Sequence, residues 1–281
     1  MRPNEGFLNL PKTFWASVRL ISQEVGYTER GTQQIKIPSA NEIELKLAEF
    51  GIDVVSLRNQ KSGSQRYDVL LRDYFTYRAK VLNTFAEPHL MNVEKAKKTF
   101  RDHLSRLKPS CPIPMNKQTG KKKAPAYLTG LVNMIVEASS QGNPCDYDPR
   151  QLTTFTKDGL PLRTLARRVD GAFPSSINPV AIWEIKEYYY TTTFGSRVAD
   201  GIYETLLDGL ELQELRDNEG VKAKHYLIID AYDTWWKQGK SYLCRIVDLL
   251  HMGLIDEVLF GYEVVERLPL LVREWVSPMI K

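Results

Sequence analysis

Asp170, Glu184 and Lys186 have the types and spacing to do chemistry together. Asp170 follows Arg167-Arg168-Val169, and Glu184-Ile185-Lys186 closes the run Val180-Ala181-Ile182-Trp183, with a Pro/Ser/Asn stretch from Pro174 to Pro179 between them. Two β-branched or aromatic runs around such a turn read as adjacent strands of one sheet. A charge on a buried strand is costly unless it is paired or bound to a metal. Side chains alternate along a strand, so Glu184 and Lys186 share one face and Ile185 packs on the other. With Asp170 across from them, two hard oxygen ligands suit Mg2+ or Mn2+ better than zinc. Lys186 beside such an ion could hold a water and offset charge on a phosphoryl transition state.

Asp170, thirteen intervening residues and then Glu184-Ile185-Lys186 resembles the Asp…(Asp/Glu)-x-Lys signature of the PD-(D/E)xK nuclease superfamily, which includes most type II restriction endonucleases. The resemblance covers roughly residues 126 to 265, and Val169 replaces the family's proline before the aspartate. It implies an α/β fold, a restriction-endonuclease-like mixed sheet flanked by helices in α-β-β-β-α-β order. It also implies Mg2+ held by Asp170, Glu184 and the backbone carbonyl of Ile185, with Lys186 positioning the attacking water. In several branches an acidic residue on the helix before the sheet joins the metal site. Glu137, in the apolar helix begun by Tyr127, is the positional candidate, with a solvated helix-end role open beside it.

The elements that must position these residues come from a chain of 281 residues with 43% hydrophobic content, enough for a sizeable core. No uninterrupted apolar run is long enough for a membrane span, and Met1-Arg2-Pro3-Asn4-Glu5 is no signal core, so the expected location is the cytoplasm. Cys111, Cys145 and Cys244 lie far apart, which argues against a zinc ribbon or an iron-sulfur cluster and for free thiols. Phosphate-loop, dinucleotide-binding and His-Glu-x-x-His patterns are absent, and four scattered histidines give a histidine-metal nuclease or a Ser-His-Asp hydrolase little support.

Net charge is +4, compatible with nucleic acid without requiring it. The distribution says more. Lys95, Lys97, Lys98, Arg101, Arg106 and Lys108 cluster over residues 92 to 107 and just beyond, in a basic amphipathic helix ended by prolines. Lys117, Lys121, Lys122 and Lys123 follow in a loop, for which phosphate contact and a solvated linker are both open. Upstream, Ser39 with Glu42 forms a capping-box pattern, where Glu42 and Glu44 suit the helix macrodipole, and residues 66 to 86 read as an amphipathic core helix, with a DNA-facing or dimer-facing role open through Arg72, Arg78 and Lys80.

Downstream, residues 151 to 156 read as a strand turned by Lys157-Asp158-Gly159 into a second strand over Leu165 to Val169 that ends at Asp170. Thr191 to Ser196 read as a turn with Ser196 capping a helix over Arg197 to Leu215. Tyr226 to Ile229 is a buried strand, Trp235-Trp236-Lys237 a loop, Ser241 to Leu254 a helix and Glu257 to Val265 the last strand.

Two regions follow: a mainly helical part over 1–125 for DNA binding or dimerisation, and a nuclease core over 126–281. The function implied is a Mg2+-dependent, sequence-specific endonuclease of double-stranded DNA, a type II restriction enzyme leaving 5′-phosphate and 3′-hydroxyl ends. It would act as a homodimer, beside a DNA methyltransferase of the same site and with no membrane contact. The alternatives are another nuclease of the superfamily, in repair, recombination or transposon-end cleavage, and a non-catalytic DNA-binding module with a nuclease-like core.

Overall fold

The computed structural model describes residues 1–55, 61–62, 65–118, 121–190 and 196–277. The expected turn over Thr191 to Gly195 lies outside them, as do the side chains of Ser196, Lys117 and Lys121 to Lys123.

The amino-terminal third is helical: α1 (Lys12–Val25), α2 (Ala40–Glu49) and α3 (Tyr67–Val81), with a small β1 (Lys61–Ser62) and β2 (Gln65–Arg66) pair before α3. Apolar residues at helical spacing, among them Phe14, Val18 and Ile21 of α1 and Leu71, Tyr74 and Phe75 of α3, form one cluster. Ser39 and Glu42 form the capping box that starts α2. Asn92 caps α4 (Val93–Leu107), which buries Ala96, Phe100 and His103 and leaves Lys95, Lys98, Arg101 and Arg106 exposed.

A hairpin of β3 (Met115–Gln118) and β4 (Lys121–Pro125) leads into α5 (Tyr127–Ser139). Then come β5 (Asp146–Tyr147), a second hairpin of β6 (Thr154–Lys157) and β7 (Leu160–Thr164), β8 (Gly171–Phe173) and β9 (Ala181–Glu187). The chain continues through α6 (Ser196–Glu219), β10 (Lys224–Asp230), α7 (Lys240–His251), β11 (Glu257–Phe260) and α8 (Glu263–Val276).

Among the described residues, one five-stranded mixed sheet runs in the order β11-β10-β9-β8-β5. β9 pairs parallel with β10 and antiparallel with β8, so the pairing sense changes at the strand carrying Glu184 and Lys186. Leaving out the short side hairpin, the order from α5 to β10 is helix, three antiparallel strands, helix, parallel strand.

The period-two alternation of β9 divides its side chains between two layers. Trp183 and Ile185 pack with α5 and α8, where Trp183 stacks on Trp275 with ring centroids 5.6 Å apart. On the other face Ile182 packs with Leu212 and Leu215 of α6. Gly171 is required by this packing, because a Cβ there would lie 2.1 Å from the Trp183 ring.

Three expectations are corrected. The strand expected to run up to Asp170 ends at Thr164. The Ala166 N–H instead donates to Glu211 Oε2 of α6 at 3.0 Å, which takes the segment out of any ladder. Trp235 and Trp236 sit in a π-helical turn, Asp233–Gln238, because both indoles are buried in the core. The last strand stops at Phe260, and Val264 and Val265 belong to α8, which buries Val264, Leu268, Leu271, Val272 and Trp275 despite Pro269 inside it.

Candidate active site

Gly171 pairs with Trp183, so Asp170, one residue outside the ladder, stands opposite Glu184. The Asp170 N–H donates to the Trp183 carbonyl at 3.1 Å, and Asp170 Oδ2 accepts from the Ile185 N–H at 2.7 Å. Glu184 and Lys186 project toward α6, where Lys186 Nζ donates to Glu184 Oε2 at 2.9 Å and to Glu204 Oε2 at 2.5 Å. Gly201 of α6 makes room for this lysine, since a Cβ there would meet its Cε at 3.1 Å.

Arg167, Glu204 and Asp208 are site members that the sequence reasoning missed. Arg167 Nη1 donates to Glu184 Oε1 at 2.7 Å and to Asp208 Oδ2 at 2.6 Å, and Nη2 lies 3.4 Å from Glu204 Oε2. Two turns along the helix, Glu211 and Glu214 pair with Arg163. α6 thus presents acids at 204, 208, 211 and 214 on one face, and those acids hold the segment leading to Asp170. That stripe at helical spacing was the available signal.

Four carboxylates, Asp170, Glu184, Glu204 and Asp208, share two cations, Arg167 and Lys186. Burial pushes Asp170 up to about 7, and repulsion from Glu184 adds to it while Lys186 opposes it. Burial does the same to Asp208, against the pull of Arg167, and also reaches about 7. Glu184 goes the other way: Lys186 and Arg167 outweigh its burial and hold it below the usual carboxylate range. For Lys186 the neighbouring Glu184 and Asp170 outweigh burial and raise it.

Asp170 and Glu184 supply the carboxylate oxygens that a hard divalent cation prefers, and Asp208 Oδ1 beside them is buried without a hydrogen-bond partner. Among the described residues no three His, Cys, Asp or Glu side chains form a group able to hold a metal ion. Asp170 and Ile185 also line a cleft of about 760 Å3, walled by Thr129 and Asn133 of α5 and rimmed by Tyr147 and Arg150. Asp170, Glu184, Lys186 and the Ile185 backbone are therefore brought together.

Glu137 is not brought to them. Its carboxylate accepts from the Ser110 N–H at 3.0 Å and from the Ser110 hydroxyl, and so ties the end of α5 to the segment after α4. Asn133, one turn earlier, faces the cleft instead. Glu187 caps the start of α5, accepting from the Tyr127 and Thr129 N–H groups at 2.8 and 3.0 Å. Glu42 is held by Lys36 and Ser39, which bring it down to about 2. Cys111, Cys145 and Cys244 are free thiols, and no helix among the described residues is long and apolar enough to cross a membrane.

No curated protein and no solved structure matches the chain. Residues 1–85 match a family described as Domain of unknown function (DUF7690). The region with the five-stranded sheet and the whole carboxylate cluster coincides with the larger match, over residues 91–275, and the chain belongs to the family described as Domain of unknown function (DUF7687).

Proposed function

We propose that the protein is a Mg2+-dependent endonuclease of double-stranded DNA, of the PD-(D/E)xK kind and acting as a type II restriction enzyme. The observation that carries this is the placement of Asp170 opposite Glu184, with Lys186 on the same face, at the strand where pairing changes from antiparallel to parallel. The helix-strand-strand-strand-helix-strand order adds support, as does the cleft of about 760 Å3 lined by Asp170 and Ile185.

In this function Asp170, Glu184 and the Ile185 carbonyl would hold the cation, which would supply Lewis acidity to the scissile phosphate and to a water. Lys186 orients that water by donating a hydrogen bond and offsets the charge developing on phosphorus. Water attacks phosphorus in line, the bond to O3′ breaks, and the products carry a 5′-phosphate and a 3′-hydroxyl. Arg167 keeps Glu184 in place, and Glu204 and Asp208 hold Arg167 from the helix side. Cutting both strands of a palindrome calls for two such sites related by a two-fold axis, hence a homodimer. Such an enzyme works beside a methyltransferase that protects the same sequence.

Lys186→Ala and Glu184→Ala are expected to abolish cleavage while specific binding, read by gel shift in Ca2+, persists. A Lys186→Ala protein that cuts within about tenfold of wild type, less than the loss expected for a group acting on the transition state, would remove Lys186 from the chemistry.

A further inference from the structure

A second cavity, of about 430 Å3, lies at the seam between the two family regions, with Arg19 of α1 and Tyr27 on one side and Ile202, Tyr203, Leu206 and Arg245 on the other. This volume suits a small organic ligand, and ligand sites favour such seams. Two arginines, Arg19 and Arg245, line it together with one carboxylate, Asp248. Asp248 lines the cavity, but its oxygens accept from Tyr74 at 2.6 Å and from the fully buried Arg78 at 3.1 Å. Its charge is spent on Arg78, and among the described residues no carboxylate forms an ion pair with Arg19 or Arg245.

Arg245 is nevertheless held in place, with Cζ 5.1 Å from the Tyr27 ring centroid and 5.3 Å from that of Tyr242. Stacking fixes the guanidinium plane and leaves N–H donors for a ligand, the arrangement by which arginine recognises phosphate. Opposite the charges, Ile202 and Leu249 form an apolar floor beside Leu206, and the Tyr203 ring is 58% exposed, a free face for a planar group.

We infer that this cavity binds a nucleoside monophosphate, the phosphate between Arg19 and Arg245 and the base against Tyr203 and Leu206. The cavity stands whether or not the carboxylate cluster cuts DNA. Its wall is also continuous with that cluster, because α6 carries Ile202, Tyr203 and Leu206 here and Glu204 and Asp208 there.

Isothermal titration of the full chain with dAMP, deoxyadenosine and inorganic phosphate tests this. dAMP should bind at least about tenfold more tightly than either fragment. Arg19→Ala and Arg245→Ala should each weaken dAMP by about tenfold or more, as expected when a charged hydrogen bond to phosphate is lost. Lys186→Ala should leave dAMP binding unchanged. Arg19 is exposed, so its variant tests the site even if Arg245→Ala fails to fold. Binding that survives both arginine substitutions, or that disappears in Lys186→Ala, would overturn the assignment, as would no binding at millimolar dAMP. Phosphate binding as tightly as dAMP would overturn the nucleoside part.

Discussion

Arg167 holds Glu184: its Nη1 donates to Oε1 at 2.7 Å, while Glu184 itself is buried, only 1% exposed. A buried carboxylate gripped on one oxygen by a guanidinium and on the other by Lys186 has a fixed orientation. Removing one partner of a buried pair leaves the other uncompensated, so Arg167→Ala should cost about 3 kcal/mol of stability. Cleavage should fall roughly a hundredfold through misplacement of Glu184, and Arg167→Lys should restore part of it. Thermal melts beside cleavage rates check this, and a fully active Arg167→Ala protein would show that Glu184 needs no such tether.

Gly201→Ala separates chemistry from stability. In a helix interior alanine is favoured over glycine by about 1 kcal/mol, yet the new Cβ would stand 3.1 Å from Lys186 Cε. The expected outcome is an unchanged or raised melting temperature with cleavage lowered about tenfold by the displaced lysine. Gly171→Ala should do the reverse and destabilise by about 1–3 kcal/mol or more, because its Cβ would overlap the Trp183 ring. A Gly201→Ala protein with wild-type activity would show that Lys186 accommodates the methyl group.

Glu137→Gln should leave the Mg2+ titration of cleavage unchanged, because this carboxylate serves Ser110 and not Asp170. Its effect should be confined to stability, about 1 kcal/mol for weakened charge-assisted hydrogen bonds. A shifted Mg2+ requirement would return Glu137 to the metal site.

Asp230 gives the protein a pH dependence of its own. It is fully buried, accepting from the Met91 and Ala231 N–H groups and from the Tyr189 hydroxyl, and burial pushes it up to about 7. A carboxyl raised in the folded state favours the protonated native form. Its stabilising contribution is therefore full below the ordinary carboxylate range and lost as pH rises through about 7. At most about 4 kcal/mol is at stake from a shift of this size. Chemical denaturation of wild type between pH 5 and 8 should show falling stability, with a shallower slope in Asp230→Asn. Parallel slopes would mean that Asp230 does not carry the effect.

The strands β9 and β10 were legible because a buried strand shows as a continuous apolar run, and Glu184 and Lys186 interrupt that run at alternate positions. The Arg167 clamp was not legible. Its partners Glu204 and Asp208 come from a helix after the next two strands, and no local pattern pairs an arginine with acids so distant in sequence. α8 was hidden because the β-branched pair Val264-Val265 follows the β11 run after only Gly261, Tyr262 and Glu263 and Pro269 argues against a helix, whereas burial of Leu268 and Trp275 outweighs that penalty. The sequence left both roles of Glu137 open because helical position alone cannot tell Asn133, which faces the cleft, from a residue one turn later that faces Ser110.

Digestion of mixed-sequence genomic DNA by the purified protein in Mg2+, with sequencing of the resulting ends, tests the central claim most directly. Discrete ends at a recurring short sequence, carrying 5′-phosphates and disappearing in Lys186→Ala, are the predicted result. DNA left intact in both Mg2+ and Mn2+, or cleavage that persists in Lys186→Ala, would contradict it.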